Sequence, residues 1–347
     1  MVSFQKNLGP LTLAFLAAIL LLPAIILGGG GRIMALTEIE NTGGKEVGGS
    51  KTNTELMLVV YNEKEEKLEE MSLENYLIGV LAAEVPAHFG KEALKAQAVA
   101  ARTYTLKKSA LLGGEGCEKH GVVADICTDS THCQAWLKEE EVKEKWPAEA
   151  AEQYYAKLKE AVQETAGEVL IYEGQLINAV YHANCGGHTE DAENVWVGEH
   201  SCLRGIECPY CQDSPVYSME TVFSVAEFAA LFQAYPEALP VFSSSLPNLE
   251  LLSFTSSGRV GKIRVGRKEY RGTDFRQLTG LPSTYFTWRL DKGKIVFENR
   301  GKGHGVGLCQ YGAQGMAEQG FNYEEILTYY YQGVELSSFY EIKGSIE

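Results

Sequence analysis

Glu84 is the residue whose surroundings point most directly to acid–base chemistry. It lies in the run Gly79-Val-Leu-Ala-Ala-Glu-Val-Pro-Ala87, where it is the one ionisable side chain among small apolar residues. Burial in such surroundings disfavours a charged carboxylate and raises its pKa, which lets a glutamic acid stay protonated near neutral pH and act as a general acid. The alternative is that Glu84 faces solvent or caps a neighbouring element, as most glutamates do.

A glycine-rich segment, Gly301 to Gly315, surrounds His304 with glycines at alternate positions. Glycine weakens an extended segment and leaves nothing to pack, so its usual reason is the close approach of a ligand or of another piece of main chain. His304, Gln310 and Tyr311 offer polar groups there and are candidate ligand contacts. The alternative is a tight glycine-rich hairpin in which His304 only satisfies backbone groups.

The first group of cysteines allows either metal binding or a disulfide. It contains Cys117, Cys127 and Cys133, with His120 and His132 nearby in the sequence. These thiolates and imidazoles suffice for a tetrahedral zinc site, although their spacing fits no standard zinc finger. A disulfide between Cys127 and Cys133 is the competing interpretation.

The second group contains Cys185, Cys202, Cys208 and Cys211, while Cys309 stands apart. The group is compatible with a four-thiolate zinc site or with two disulfides, and disulfides are favoured outside the cell. The Cys-Pro-Tyr-Cys sequence within it lacks the βαβ surroundings of a redox motif. A further hypothesis makes Cys309 a nucleophile with a histidine, His304, as its base.

The composition indicates an acidic globular protein with an N-terminal anchor. The chain has 347 residues, 45% of them hydrophobic, and its net charge of -15 argues against nucleic-acid binding, which depends on clustered Lys and Arg. Residues 8–28 carry no charge and are long enough to cross a bilayer, after a cytoplasmic tip over residues 1–7 that contains Lys6. The positive-inside bias then places the rest of the chain outside the cytoplasm, with residues 29–55 as a flexible linker. A cleaved signal peptide is the alternative.

Hairpins mixed with separate helices, without strand–helix–strand alternation, indicate an α+β fold. We expect one extracytoplasmic domain over residues 56–347, built around a substrate groove and carrying a helical insertion at about 113–166. The elements predicted in the first half are a hairpin over 56–71, helices over 73–83, 91–112 and 139–166, the last of these as scaffold, and a hairpin over 169–181. Those in the second half are a helix over 224–232, hairpins over 251–265 and 284–297, a short helix after Thr273, and closing helices over 314–319 and 323–331.

Three separated motifs carry a family resemblance. They are Leu81-Ala-Ala-Glu-Val-Pro continued by Glu92-Ala-Leu-Lys-Ala-Gln-Ala-Val-Ala-Ala-Arg-Thr-Tyr104, then Tyr181-His-Ala-Asn-Cys-Gly-Gly-His-Thr-Glu-Asp-Ala-Glu-Asn-Val-Trp196, and Gly303-His-Gly-Val-Gly-Leu-Cys-Gln-Tyr-Gly-Ala313. Together they resemble the stage II sporulation protein D family of peptidoglycan lytic transglycosylases, over roughly residues 56 to 335. The family more often has serine at the positions of Cys185 and Cys309, so these two thiols are additions in this chain.

The resemblance implies a membrane-anchored enzyme that cleaves peptidoglycan glycan strands between N-acetylmuramic acid and N-acetylglucosamine during engulfment of the forespore. Glu84 stands at the family's catalytic position, and the chemistry requires no cofactor. The resemblance also implies partners among the engulfment proteins, namely the stage II sporulation proteins P, an amidase that removes stem peptides, and M. The enzyme would be a single-pass protein of the engulfing membrane, facing the intermembrane space.

One carboxyl group can serve this reaction twice, whereas a glycosidase that adds water normally needs two. Glu84 protonates the glycosidic oxygen and then, as a carboxylate, takes the proton of the C6 hydroxyl, which attacks C1 and closes a 1,6-anhydro ring. Other side chains would line the groove and contact the sugar. The candidate sugar contacts are Lys95, Arg102, Tyr181, His188, His304, Gln310 and Tyr311.

Some relatives carry a metal in the region that matches residues 125–134. The resemblance therefore implies a structural or site-shaping zinc in this chain. Its candidate ligands are Cys127, Cys133, His120 and His132. Two other functions compete: a zinc-dependent amidase or peptidase, in which three of these ligands hold a catalytic zinc and Glu84 is the base, and a wall-binding module that grips glycan without cutting it.

Overall fold

The computed structural model describes residues 55–117, 119, 124–196, 198, 201–233 and 248–343. These residues form a mixed α+β fold, which confirms the predicted fold class. The predicted anchor, the tip before it, the linker up to residue 54 and the candidate ligand His120 lie outside the described residues. In the described part of the chain, no helix combines the length and the apolar character needed to cross a bilayer.

The helices and strands are numbered here in chain order. The helices are α1 (Leu73–Glu84), α2 (Lys91–Lys108), α3 (Glu139–Lys145), α4 (Ala148–Glu164), α5 (Val225–Leu231), α6 (Gly272–Thr279), α7 (Gln310–Glu318), α8 (Tyr323–Tyr330) and α9 (Phe339–Lys343). The strands are β1 (Met57–Asn62), β2 (Lys67–Ser72), β3 (Ile126–Cys127), β4 (Glu168–Tyr172), β5 (Gln175–Leu176), β6 (Tyr181–His182), β7 (Ser218–Ser224), β8 (Leu249–Phe254), β9 (Val260–Val265), β10 (Lys268–Arg271), β11 (Phe286–Asp291), β12 (Lys294–Arg300), β13 (Leu308–Cys309) and β14 (Glu335–Ser338).

The strands form small separate sheets. Their orders are β2-β1-β3, β14-β4-β5, β10-β9-β8, β11-β12-β7 and the pair β13-β6. Most neighbours are antiparallel, but β3 runs parallel to β1 and β13 runs parallel to β6. The pair β6-β13 joins two motifs that are far apart in the sequence, because Leu308 lies opposite Tyr181 and Cys309 opposite His182.

Most predicted elements are confirmed, and the differences have local causes. The predicted helix over 139–166 is two helices, because Pro147 lacks a backbone N–H and its ring clashes with a preceding turn. The predicted helix over 91–112 ends at Lys108 and continues only as a 3₁₀ turn, Ala110–Leu112. The hairpin predicted over 169–181 is wrong in its second half, since β5 stops at Leu176 and Tyr181 pairs with β13 instead.

The main core surrounds α2, which is buried on nearly every side. A run of small residues, Ala98 to Ala101, lets neighbouring elements approach the helix closely, and α1, α4, α7, α8 and β4 all pack against it. Acidic Glu92 in its first turn and Lys107 and Lys108 in its last turn complement the helix dipole. This helix is the support on which α1, and therefore Glu84, is held.

A second apolar core lies within residues 218–300, here called the Phe-rich lobe. Aromatic rings dominate it: Phe228, Phe232, Phe275, Phe286 and Phe297. The lobe leaves and rejoins the rest of the chain at one place, because the backbone N–H of Gly301 donates a 2.8 Å hydrogen bond to the carbonyl of Tyr217. Both cores belong to one compact unit over residues 54–347.

Candidate functional site

Glu84 is the last residue of α1 and lies at the edge of an open cleft. The helix ends there because Val85 is extended (φ −123°, ψ 150°), the conformation that a residue before proline prefers, and Pro86 follows. The Glu84 side chain is half-buried and helps to line a cleft of about 360 Å³. The carboxyl group at the end of this buried helix therefore faces the open cleft.

An aromatic wall of the cleft comes from the segment around the α3–α4 break. Trp146 and Tyr154 line the cleft together with exposed Lys145, and their two rings meet edge to face with centroids 5.4 Å apart. The segment over residues 139–166, predicted as scaffold, thus also contributes side chains to the cleft. Among the described residues that line the cleft, Glu84 is the only acid.

The surroundings of Glu84 favour its protonated form. Burial raises the pKa of the carboxyl group above its ordinary value, and this effect outweighs two opposing ones, a hydrogen bond from the backbone N–H of Ala135 and the positive charge of Lys145. The Ala135 nitrogen lies 2.8 Å from Glu84 Oε1. The raised pKa that the sequence predicts for this residue is thus what the fold produces.

Ala135 comes close to Glu84 because its segment crosses α1 at Gly79, a residue without a side chain. A Cβ atom at this position would lie 2.2 Å from the Trp136 indole nitrogen and 2.6 Å from the Leu137 carbonyl, so only glycine allows the segment to cross the helix. The backbone N–H of Leu137 then donates to the Gly79 carbonyl at 3.3 Å. Gly79 and Glu84 belong to the same sequence motif, and the structure shows how the first serves the second.

A short chain of hydrogen bonds connects the region of Glu84 to His304. The Tyr181 hydroxyl donates to Gln134 Oε1 at 2.7 Å, beside the Ala135 that holds Glu84. At its other end, the Tyr181 carbonyl accepts a 2.9 Å hydrogen bond from His304 Nε2. The first and third motifs are therefore connected through the second, although the described lining of the cleft beside Glu84 includes no residue of the second or third motif.

The glycine run is explained by close packing within the protein. Gly303 and Gly305 have φ of 114° and 90°. A Cβ atom at Gly303 would lie 2.7 Å from the His182 Cβ, and one at Gly305 would lie 2.7 Å from the Arg259 guanidinium. His304 donates to Tyr181 through Nε2 and accepts the Val306 N–H through Nδ1 at 3.1 Å, so both ring nitrogens are occupied. Burial lowers the pKa of His304 to about 4, which keeps the ring neutral. His304 thus positions Tyr181, and its predicted sugar contact through a ring nitrogen is not supported.

Arg102 has a structural role in place of the predicted substrate contact. Its side chain is fully buried, and its Nε and Nη2 bind Glu74 Oε1 and Oε2 at 3.0 and 2.6 Å. The remaining donors reach Thr165 and the carbonyls of Val162 and Glu168. No donor is left for a sugar, so the prediction for Arg102 is wrong.

Lys95 also serves packing between helices. Its ammonium lies 3.5 Å from a carboxylate oxygen of both Glu92 and Glu164, and 4.3 Å from the centroid of the Tyr323 ring. These contacts tie α2 to α4 and α8. The cleft beside Glu84 has other lining residues, so the structure does not place Lys95 where the sequence predicts it.

The last three predicted contacts are held within the fold near the glycine run. Gln310 is buried and donates to Gln97 at 3.3 Å, and the Tyr311 ring packs edge to face on Phe89 with centroids 5.1 Å apart. His188 is half-buried, with Nδ1 2.6 Å from the Thr189 carbonyl. None of the three lines the cleft of Glu84. Of the seven predicted sugar contacts, the hydrogen bonds connect only Tyr181 to the Glu84 region directly.

The first cysteine group forms a cluster whose geometry fits a tetrahedral zinc site. The ligand atoms of Cys117, Cys127, His132 and Cys133 all lie within 4.8 Å of one another. His132 Nδ1 faces the three sulfur atoms at 3.4, 3.5 and 3.2 Å, close to the roughly 3.5 Å edge that bonds of about 2.3 and 2.0 Å give in a tetrahedron. The predicted ligands His132, Cys127 and Cys133 come together, and Cys117 completes the set.

Four protein ligands leave no open position on such a zinc ion, which marks a structural site. The arrangement therefore does not favour a catalytic zinc with three ligands and a bound water, and the metal itself stays a prediction. The segment that carries His132 and Cys133 continues directly into Gln134 and Ala135. A metal bound by the cluster would therefore hold Ala135, the hydrogen-bond partner of Glu84, in place. Cys117 reaches the cluster through an antiparallel bridge to Ala124, a pairing that spacing along the sequence does not reveal.

The second cysteine group also differs from its prediction. Cys185, Cys208, Cys211 and Cys309 are buried together, with their sulfur atoms within 4.8 Å of one another, whereas Cys202 lies elsewhere. All eight cysteines of the chain belong to the described residues and are free thiols, so the predicted disulfides are not formed in this structure. Burial of Cys309, and the occupied ring nitrogens of His304, make the nucleophile hypothesis wrong.

These features define a mixed α+β protein with one half-buried acid in an open cleft walled by aromatic rings. The chain belongs to the stage II sporulation protein D family. A family model described as "Stage II sporulation protein" matches residues 61–172, the stretch that contains Glu84, the first cysteine cluster and the aromatic wall. Stage II sporulation protein D of Bacillus amyloliquefaciens is 34% identical over 279 residues, covering 80% of this chain and 78% of the relative.

Two proteins of Bacillus subtilis (strain 168) are also similar. Its stage II sporulation protein D is 34% identical over 278 residues, covering 80% of this chain and 78% of the relative. Its amidase enhancer is 27% identical over 311 residues, covering 76% of this chain and 40% of the relative. The similarity to the first of these extends far beyond the cleft and includes most of the described fold.

Proposed function

We propose that the protein is a peptidoglycan lytic transglycosylase, which cleaves the bond between N-acetylmuramic acid and N-acetylglucosamine in stem-peptide-stripped glycan and leaves 1,6-anhydro ends. The observation that carries this proposal is the single acid of the cleft, Glu84, whose pKa is raised by burial. A hydrolase that activates water needs a second carboxylate across the bond, and the described lining residues supply none.

Glu84 acts in both halves of this reaction. In its protonated form it gives a proton to the glycosidic oxygen, and the resulting carboxylate accepts the proton of the C6 hydroxyl as that oxygen closes on C1. The N–H of Ala135 already points at Oε1, so the negative charge that appears after the first step finds a hydrogen bond in place. Lys145 at the cleft adds a weaker, solvent-screened attraction.

The aromatic wall orients the substrate. Sugar rings have apolar faces formed by C–H groups, and pockets combine such aromatic surface with a few polar groups that fix orientation. Trp146 and Tyr154 provide this surface in the cleft that Glu84 lines. Holding muramic acid there keeps its own C6 hydroxyl close to C1, which gives the intramolecular attack its advantage over attack by water.

Zinc in the first cysteine cluster would have a structural role. It would be held by Cys117, Cys127, His132 and Cys133. It would cross-link the part of the fold around β3, a strand of two residues. The chain beyond this cluster positions Ala135 against Glu84. The residues of the cleft, and not the metal ligands, carry the chemistry.

The cellular setting is part of the same proposal and rests on the family resemblance. We propose that the enzyme lies in the engulfing membrane, anchored by the apolar segment over residues 8–28, with the catalytic domain in the intermembrane space and stage II sporulation proteins P and M as partners. The relatives named as stage II sporulation proteins support a role in sporulation. The acidic charge of the chain disfavours nucleic acid as a partner.

One experiment tests the activity. Full-length protein, purified in a mild detergent, is incubated with glycan strands freed of stem peptides, and the products are analysed by mass spectrometry. We expect fragments with 1,6-anhydro-muramic acid ends. Reducing ends that carry an added water would indicate a hydrolase, and glycan that is bound but uncut would indicate a wall-binding module; either result contradicts the proposal. Release of peptides from intact peptidoglycan would instead favour an amidase.

A further inference from the structure

Four buried cysteines come together at the junction of the main core and the Phe-rich lobe. Cys185 follows β6, Cys208 and Cys211 begin and end a tight turn, and Cys309 is the N-cap residue of α7. Their sulfur atoms lie within 4.8 Å of one another, and those of Cys185 and Cys211 are 3.5 Å apart. Four sulfur atoms around one zinc ion, each bonded at about 2.3 Å, would be about 3.8 Å apart.

We propose that Cys185, Cys208, Cys211 and Cys309 form a second metal site that binds a zinc ion through four thiolates. The site is separate from the cluster of Cys117 and His132 and far from it in sequence. It does not depend on the transglycosylase activity proposed above. The three arguments that support it are the hydrogen bonds to the sulfur atoms, the buried charge beside them and the way the chain converges on them.

Hydrogen-bond donors point at the sulfur atoms. The backbone N–H groups of Cys185 and Gly312 both donate to Cys309 Sγ at 3.3 Å, and Gly312 does so from the first turn of α7. The hydroxyl of Tyr330 lies 3.0 Å from Cys208 Sγ. Thiolates that ligate a metal accept such bonds, which stabilise their negative charge. A helix N-terminus adds its positive dipole at Cys309.

A buried cation lies against the cluster. Arg259 is 1% exposed, and its Nη2 donates to the backbone carbonyls of Cys185 and His188 at 2.5 and 3.3 Å. Its Nε and Nη1 have no hydrogen-bond partner among the described residues, and the nearby carboxylate of Glu190 attracts its charge without bonding it, because that carboxylate accepts its bonds from Thr255 and Ser257. A guanidinium buried in this way needs compensating negative charge. A zinc ion with four thiolates carries a net charge of about −2 and would provide it.

Disulfides are the main alternative for these thiols. Each would require two of the four sulfur atoms to approach to about 2.05 Å, whereas the cluster keeps Cys185 and Cys211 at 3.5 Å and gathers all four around one point. An iron–sulfur cluster is bound by four cysteines that surround several metal atoms, which needs a larger cage than a single ion. The geometry therefore points to one metal ion.

The site would fasten the turn at Cys208 to two segments that the β6-β13 pair already joins. It links the loop after β6, the turn at Cys208 and the start of α7, and Asn184 adds a hydrogen bond from its side chain to the Cys211 carbonyl at 2.9 Å. Cys309 directly follows Leu308, the partner of Tyr181 in the β6-β13 pair. A metal here would therefore support the β6-β13 pair, which presents Tyr181.

The test is the zinc content of full-length protein and its cysteine variants, measured by mass spectrometry of the metals. We expect two zinc ions per chain for the wild type, one for Cys309→Ser and one for Cys133→Ser. The matched control is Cys202→Ser, which replaces a buried cysteine outside both clusters and should keep two. Two zinc ions in Cys309→Ser, or one in the wild type that Cys133→Ser removes, would overturn the proposal.

A measurement on the wild type avoids the question of whether a variant folds. X-ray absorption at the zinc edge should show seven sulfur ligands and one nitrogen ligand for the two ions together, the composition of the two clusters. Alkylation of the denatured, metal-stripped protein without reductant should label all eight cysteines. A ligand ratio of three sulfurs to one nitrogen, with disulfides found among the four buried cysteines, would refute the second site.

Discussion

The backbone N–H of Ala135 donates a 2.8 Å hydrogen bond to the carboxyl group of Glu84, while burial of the same group raises its pKa. The two effects oppose each other, and each suits one half of a reaction in which a single residue first gives and then takes a proton. In the proposed reaction, burial favours the acid form that gives the first proton, and the Ala135 bond would stabilise the carboxylate between the two proton transfers.

Replacing Glu84 by glutamine should abolish turnover with little effect on folding. The amide of the new side chain could still accept the Ala135 bond but has no proton to give, so we expect the rate of anhydro-product formation to fall by about 10²- to 10⁴-fold. The control is Glu149→Gln, which changes an exposed acid on α4. Full activity in the Glu84→Gln variant would rule out the role of Glu84 as the acid.

The same variant gives a stability test with a definite sign. Because the folded-state pKa of Glu84 is raised, the folded protein binds more protons than the unfolded chain in the interval between the two pKa values, and wild-type stability falls as pH rises through that interval. The glutamine variant lacks this contribution. The free energy of unfolding of the wild type minus that of the variant, measured by chemical denaturation, should therefore fall as pH rises through that interval.

Lys145 should influence the pH above which activity is lost. Its charge lowers the pKa of Glu84, so Lys145→Met should raise that pKa and move the alkaline limb of kcat/KM to higher pH. The shift should be modest and should shrink in high salt, because Lys145 is exposed. Lys159→Met, also on the surface but outside the cleft, should leave the profile unchanged. A shift toward lower pH would contradict the electrostatic argument.

Trp146 should contribute to glycan binding more than to chemistry. Removing its ring in Trp146→Ala takes away one wall of the cleft, and we expect KM for glycan to rise about tenfold, equivalent to about 1.4 kcal/mol. Trp146→Phe keeps an aromatic surface and should recover most of the affinity. Initial rates over a range of glycan concentrations separate the two parameters. An unchanged KM in the alanine variant would remove the aromatic wall from the binding site.

Arg102 should affect stability and leave substrate affinity alone. Arg102→Met leaves Glu74 without its partner and should lower the free energy of unfolding by on the order of 3 kcal/mol in chemical denaturation. Arg102→Lys should recover little, because an ammonium cannot reproduce the two-pronged contact with Glu74. If either variant instead raised KM at normal stability, the substrate contact predicted from the sequence would be restored.

Replacing one ligand, Cys117, tests whether a zinc ion in the first cysteine cluster is structural or catalytic. If zinc is held by all four residues, Cys117→Ser should lose it and lower the Tm, while molecules that remain folded keep part of their turnover, reduced through the position of Ala135. A catalytic zinc on Cys127, His132 and Cys133 would survive this change together with its activity. Zinc content, Tm and turnover of the variant, measured side by side, distinguish the two cases.

Local sequence patterns predict the parts of the protein that depend on neighbouring residues. The apolar run around Glu84 correctly predicts a half-buried acid at a helix end, because Pro86 and the small residues before it decide the outcome within one turn. The alternation of apolar and polar residues likewise predicts the β1–β2 hairpin. These features need no partner from a distant part of the chain.

Features that depend on distant partners could not be predicted in this way. Arg102 carries the same charge whether it binds a sugar or Glu74, and only the packing of α2 against α1 decides. Cys309 joins Cys185 because β13 pairs with β6 in parallel, a contact that neither local sequence reveals. Trp146 is an exception: it lines the cleft because Pro147 breaks the helix beside it, and this proline is visible in the sequence.

The hydrogen bond from Gly301 to Tyr217 has a consequence for how this architecture can change. A segment whose two ends touch can be lengthened, shortened or exchanged without moving the ends of the chain on either side, since the flanking residues already occupy adjacent positions. Residues 218–300, with their own phenylalanine interior, meet this condition. The protein is thus built so that evolution or an engineer could exchange much of this lobe and leave the acid-bearing cleft untouched, provided that Arg259 keeps its contacts with Cys185 and Gly305.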